Sequence, residues 1–298
     1  MSRNLKITLA YDGSEFHGWQ VQPEHRTVQG VLAECLGRLT GEAVLPQGSG
    51  RTDAGVHALG QVASVSLKSP IPERNLLIAL NDILPPSIRI TDVQAVEDGF
   101  HARHSAKAKT YRYRIYRGDI CSPFLARYVY HHPYPLDEEG MVRASEYIVG
   151  EFDFTSFAAS DPELTKRTLA GEQARDAVRA GRGEEGESQE VTVGPVQEGA
   201  EADEENAGDP LVRKQGNVRS VYSSLWARTA DELSYEIRGN GFLHNMVRNL
   251  IGTFLQVGKG ALKPEDIPAI LAAKNRSAAG ATAAANGLYL VSVEYDTP

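Results

Sequence analysis

The sequence predicts an α+β fold built from two split βαβ (ferredoxin-like) halves with antiparallel sheets. Three observations lead there. Period-two apolar segments of strand length alternate with period-3.6 segments of helix length. The order strand, helix, strand, strand, helix, strand recurs in each half. A polar, acidic stretch over 161–216 breaks only the second half. The halves are expected at 1–107 and 108–298, with 161–216 as a disordered insertion.

In chain order, Leu5 to Tyr11 alternates as a first strand. Thr27 caps a helix whose stripe is Val28, Val31, Leu32, Cys35, Leu36 and Leu39. Gln61 to Leu67 alternates again. Pro72 opens a second helix through Leu76, Leu77, Leu80 and Ile83, stopped by Pro85-Pro86, and Ile88 to Val96 is a strand. Thr110 to Tyr116 begins the second half. Asp137 starts a helix with Glu138 and Glu139 in its first turn and Gly150 as its C-terminal cap. Strands follow at Arg219–Arg228 and Glu232–Arg238. A helix from Gly241 to Val257 carries Leu243, Met246, Val247, Leu250, Ile251, Phe254 and Leu255 on one stripe. A short helix after Pro264 and a strand over Leu288–Tyr295 close the chain.

Composition narrows the function classes. Hydrophobic content of 41% and charged content of 23% over 298 residues are those of a soluble protein. No stretch approaches the length of a membrane span, and the N-terminal residues lack a signal peptide's apolar core, so a cytoplasmic location is expected. Two cysteines are too few for a disulfide framework or a cysteine zinc site. The net charge of −8 argues against a nucleic-acid partner only at first sight. Residues 181–210 alone contribute −9, leaving the rest of the chain at +1 with its bases clustered.

The segment Gly48-Ser49-Gly50-Arg51-Thr52-Asp53-Ala54-Gly55-Val56-His57-Ala58 is the richest in chemistry. Asp53 lies among three glycines beside Arg51, whose charge favours the ionised carboxylate. Two readings stand: a site, or a surface turn in which Asp53 bonds its own backbone. A P-loop is excluded, because Gly50-Arg51-Thr52 has Arg where Lys belongs and Leu45 replaces the first glycine. A dinucleotide fingerprint is excluded too, since Asp53 stands at its last glycine position.

Lys107 to Arg117 holds five bases and three tyrosines without an acid. Strand alternation puts Lys109, Tyr111, Tyr113 and Ile115 on one face and Thr110, Arg112, Arg114 and Tyr116 on the other. Bases beside aromatic rings suit RNA, and an ordinary amphipathic strand has the same look. His244 and Arg248, four apart, are placed to orient a carboxylate or phosphate, or to form a solvated face. The Tyr11–Gln20 loop reads equally as a base-stacking surface or as a cover over the core. His17, His57 and His244 form no pair with metal-ligand spacing such as His-x-x-x-His.

Six motifs in order resemble the tRNA pseudouridine synthase A family: Tyr11 to Gln20, Gly50 to Ala58, Lys109 to Tyr113, Phe152 to Phe157, Gly241 to Asn249, and Gly287 to Val291. The resemblance runs through nearly the whole chain apart from the acidic insertion. It implies two halves joined into one sheet, with the catalytic cleft between them. It implies a cytoplasmic homodimer that converts uridine to pseudouridine at positions 38, 39 and 40 of the tRNA anticodon stem-loop, with no metal and no organic cofactor.

By the same resemblance Asp53 is the catalytic carboxylate, Arg248 its basic partner and Tyr111 the ring on the target uracil. Arg51, His57, His244 and Leu288 join Tyr111 as expected substrate contacts. Whether Asp53 attacks base or sugar, or stabilises a detached intermediate, stays open. An RNA-binding module without catalysis and a hydrolase are the competing classes. The hydrolase would need a metal or a second carboxylate, and no candidate stands out.

Overall fold

Alternation, caps and prolines set the local structure, and a computed structural model describes residues 2–159 and 216–296. The expectation of disorder over 161–216 falls almost wholly outside the described residues. The first half runs β1 (Arg3–Tyr11), α1 (Val28–Thr40), β2 (Gln47–Gly48), β3 (His57–Leu67), α2 (Glu73–Ile83) and β4 (Ile88–Val96). The second runs β5 (Ala108–Tyr116), β6 (Tyr130–His131), α3 (Glu138–Glu146), β7 (Gly150–Asp153), β8 (Val218–Thr229) and β9 (Glu232–Gly239). It ends with α4 (Met246–Gly258), α5 (Ile267–Ala273) and β10 (Leu288–Glu294). Thr27 caps α1 as expected, its side chain accepting the Gly30 N–H.

One mostly antiparallel sheet results, in the order β4-β1-β3-β10-β5-β9-β8-β7. Within each half the order is that of a split βαβ unit: β4-β1-β3-β2, then β10-β5-β9-β8. The halves join where β10 runs parallel to β3 through Tyr289↔His57 and Leu290↔Ala58. β2 pairs with β3 farther along, at Gln47↔Ser64 and Gly48↔Ala63. The segment from Ser49 to Val56 therefore leaves the sheet at the seam between the halves.

Register decides which side chains share a face. Leu5, Ile7 and Leu9 of β1, and Tyr113 and Ile115 of β5, are fully buried on one face. There Tyr235, paired with Tyr113, meets Phe254 of α4 at 5.5 Å between ring centroids. The opposite face carries cross-strand ion pairs: Arg112–Glu236, Arg114–Glu232 and Arg238–Glu294. Arg112 and Arg114 are thus engaged by carboxylates of the same sheet rather than forming a bare basic strip for phosphate.

Three boundaries differ from the sequence reading. The helix expected from Gly241 begins at Met246, because Asn245 takes a left-handed conformation (φ 58°) that interrupts helical geometry. Gly150 opens the edge strand β7 instead of capping a helix, with φ 127°. The helix after Pro264 is a 3-10 turn that runs on into α5.

Candidate active site

The Ser49–Val56 loop is held from beneath by the Tyr11–Gln20 segment. Trp19 N–H donates to the Thr52 carbonyl at 3.0 Å, and the Tyr11 hydroxyl shares a 2.8 Å hydrogen bond with Thr52 Oγ1. Phe16 and Trp19 are both 3% exposed. The aromatic loop therefore covers the core and braces the Asp53 loop; these two rings are not a base-stacking surface. Gly48 and Gly13 are needed for close approach. A Cβ on Gly48 would meet Trp19 at 2.5 Å, and one on Gly13 would meet the Val56 carbonyl at 2.0 Å.

From the β5 side, Lys109 Nζ donates to the Ser49 carbonyl at 2.5 Å. Burial, reinforced by the positive charges of Arg103 and Arg219, pulls this ammonium down to about 8. Gln61, fully buried, donates to the Gly50 carbonyl and accepts from Ser49 Oγ. Both side chains grip the loop's first turn. Alternation had already put Lys109 on the face of Tyr111, but the carbonyl it holds lies 60 residues away.

Asp53 projects from this loop with its side chain 23% exposed. Arg248 Nη1 donates to Oδ2 at 2.8 Å, and His244 Nε2 lies 3.2 Å from Oδ1. Arg248 is itself fixed at two further points: Nε donates to the Ala283 carbonyl at 2.8 Å, and Nη1 reaches Asn245 Oδ1 at 3.0 Å. Burial works against the Asp53 charge, but the hydrogen bonds and charges of His244 and Arg248 outweigh it, holding the carboxyl below its ordinary value. The carboxylate is ionised, positioned and reachable. The left-handed Asn245 lets His244, ahead of the helix, and Arg248, within it, converge on one carboxylate.

Tyr111 lies on the helix-covered face of the central strand β5, its ring edge-to-face with Phe242 at 5.2 Å. Burial first, then the nearby Tyr11 and Asp53, raise its phenol above the ordinary range, so it is a neutral ring with its proton in place. Leu288, 5% exposed, pairs with Tyr113 at the start of β10. Arg51 is exposed at the loop's outer end.

The expected contact His57 is placed elsewhere. It pairs with Tyr289, next to Leu290, which pairs with Tyr111. Alternation therefore sends His57 to the other face of the sheet, where it is 2% exposed and hydrogen-bonded through both ring nitrogens. Proximity in sequence to Asp53 is not matched by a shared face of the sheet. Sequence reasoning missed Lys109 as a loop tether, Gln61 and Phe242. Among the described residues no three His, Cys, Asp or Glu side chains gather as metal ligands would.

The geometry thus places an ionised carboxylate, held by an arginine, at the seam of two βαβ units beside a buried neutral tyrosine. A family model described as tRNA pseudouridine synthase matches residues 7–105 and 202–296. A protein of Solibacter usitatus named tRNA pseudouridine synthase A is 46% identical over 98% of this chain and 100% of its own length. Relatives of the same name from Caldicellulosiruptor saccharolyticus and Bacillus licheniformis are 39% and 40% identical, each over 98% of this chain and over 100% and 99% of their own lengths. The chain belongs to the tRNA pseudouridine synthase A family, a family of isomerases.

Proposed function

We propose that this protein isomerises uridine to pseudouridine at positions 38, 39 and 40 of the tRNA anticodon stem-loop, with Asp53 as the essential carboxylate. The observation that carries the reading is the pairing of Asp53 with Arg248 across 195 residues, beside the ring of Tyr111. The reaction breaks the N1–C1′ bond, turns the uracil and joins C5 to C1′. The proton lost from C5 is balanced by the one gained at N1, so no co-reactant enters.

Each side chain has a part. Asp53 is charged and shielded from water by its partners, which suits attack on base or sugar and equally suits stabilising a detached sugar cation. Tyr111, neutral, stacks on the uracil and has an O–H to offer. A base in a stem must leave its stack to be reached, and Arg51 at the exposed end of the loop fills the vacated space or holds a phosphate. Leu288 forms the apolar wall, and His244, 63% exposed, lies where the entering nucleotide meets Asp53. The enzyme works as a homodimer in the cytoplasm.

Mapping pseudouridine in tRNA from cells lacking the protein tests the reading. Uridine is expected at 38, 39 and 40 in place of pseudouridine, with other sites unchanged; intact modification there would refute it. Gly13→Ala is expected to lower turnover about 100-fold, the cost of a displacement of about 1 Å at the reacting group. The new methyl pushes on the Val56 carbonyl behind Asp53. Steady-state kinetics on anticodon stem-loop RNA, with a thermal melt alongside, would check it.

A further inference from the structure

His57 opens β3 directly after the Asp53 loop, yet it faces away from Asp53. Its Nδ1 accepts the Gly13 N–H at 3.1 Å, so the proton of the neutral ring is on Nε2, which donates to the Arg127 carbonyl at 3.1 Å. The imidazole is stacked on Tyr289 at 4.8 Å and tilted against Tyr128 at 5.4 Å. One ring thus ties the turn after β1, the segment before β6 and strand β10 together at the foot of the loop. Gly13 lies so close to Val56 that a Cβ on it would meet the Val56 carbonyl at 2.0 Å, and Val56 N–H donates to the Asp53 carbonyl at 3.1 Å.

We propose that His57 is a positioning residue: its neutral ring holds the Asp12–Gly13 turn against Val56, and so fixes the backbone from which Asp53 reaches Arg248, without touching the RNA. The inference rests on Asp53 being the reacting carboxylate. It replaces the direct substrate contact that adjacency in sequence suggests with an action through three backbone segments.

The tie depends on protonation. Facing His57 are the Asp12 carboxylate, with Oδ1 3.2 Å from Nδ1, the Tyr128 phenol, which donates to Asp12 Oδ2, and the Tyr289 phenol. Behind Tyr289 stands Arg114, paired with Glu232, and Arg89 lines a 260 Å³ cleft together with His57, Asp12, Tyr128 and Tyr289. Burial, opposed by Asp12, holds the imidazole below 6.5. A proton on Nδ1 displaces the Gly13 N–H and turns the ring toward Asp12. Because the folded value is lowered, the tied form is complete above pH 6.5 and is lost as pH falls through the lower folded value. Asp53, held below 3.8, stays largely ionised from pH 6.5 down to that value.

The test compares His57→Gln and His57→Phe with the wild type, using full-length protein and anticodon stem-loop RNA, from about pH 8 down through the usual histidine range to the pH at which the wild type loses activity. Gln can accept from Gly13 and donate to Arg127, but does not titrate. Phe keeps the stacking and loses both hydrogen bonds. His57→Phe is expected to lower kcat about 100-fold with KM unchanged, the cost of a displaced reacting group. His57→Gln should restore kcat to within a few-fold and lose the acid fall of the wild type. His244 touches Asp53 in all three proteins, so only differences between them are read.

A raised KM with unchanged kcat in His57→Phe would make His57 a substrate contact and overturn the proposal. So would a His57→Gln enzyme that keeps the wild-type acid fall, or one as slow as His57→Phe. If His57→Phe does not fold, the kcat and pH profile of His57→Gln decide alone. Asp53→Asn is run beside them. If it turns over normally, the reading of Asp53 has failed; if it is dead and the His57 pattern is absent, only this inference has.

Discussion

Asp53→Asn is expected to lower pseudouridine formation by at least about 10⁴-fold, the scale seen when a group acting within a catalytic unit is removed, while tRNA binding survives. The amide keeps the size of the carboxylate and one oxygen to accept from Arg248 Nη1, so the loop retains its shape. What disappears is the charge, and both proposed roles for Asp53 need it. Binding is expected to survive because the proposed function assigns the hold on RNA to other groups, Arg51, Tyr111 and Leu288 among them. Tritium release from tRNA labelled at C5 of uracil reads turnover, and a filter or gel assay reads binding. Near-normal release would remove Asp53 from the chemistry. Lost binding with residual chemistry would assign it to recognition.

Much of the fold follows from local rules. The strand over Ile88–Val96 has the predicted bounds, and α1 starts behind Thr27, because alternation and a capping side chain are local signals. The start of α4 was not legible, since a left-handed Asn245 is set by what it joins: a helix end and a histidine that both point at Asp53. The two-residue β2 was not legible either. It meets β3 only at Gln47↔Ser64 and Gly48↔Ala63, beyond the two residues, His57 and Ala58, that pair with β10.

The candidate site divides along the same line. A loop with one acid, one arginine and three glycines advertises chemistry by composition. Which side chains face that acid depends on contacts across 195 residues, and periodicity does not reach that far. The family resemblance supplied Arg248 and Tyr111 as partners; alternation alone had put Tyr111 and Lys109 together. His57 shows the converse: near Asp53 in sequence, it lies on the other face of the sheet, for one step along a strand moves a side chain across. The glycine at 48 answers to Trp19 within the protein, rather than to an approaching RNA backbone.

Arg248→Gln is expected to slow turnover about 100- to 1,000-fold, the usual cost of removing one preorganised partner of a reacting charge. It also moves the acid limit of activity upward. In the wild type the carboxyl of Asp53 is held below 3.8, so the stability from its partners is complete above that pH and is lost as pH falls through the lower folded value. Removing the guanidinium leaves burial, which raises the carboxyl, opposed only by His244. Protonation of Asp53 then takes place at higher pH, and kcat falls on the acid side where the wild type does not titrate Asp53. Arg248→Lys is a sharper case. It keeps a positive charge but not the planar fork that spans Asp53, Asn245 and the Ala283 carbonyl. If charge alone matters, Lys restores both rate and acid limit. If orientation matters, as the three-point grip on Arg248 argues, Lys restores the acid limit and leaves most of the rate deficit. A pH–kcat profile of the two variants separates charge from orientation, and an Arg248→Gln enzyme with wild-type rate and profile would mean that the ion pair serves the fold alone.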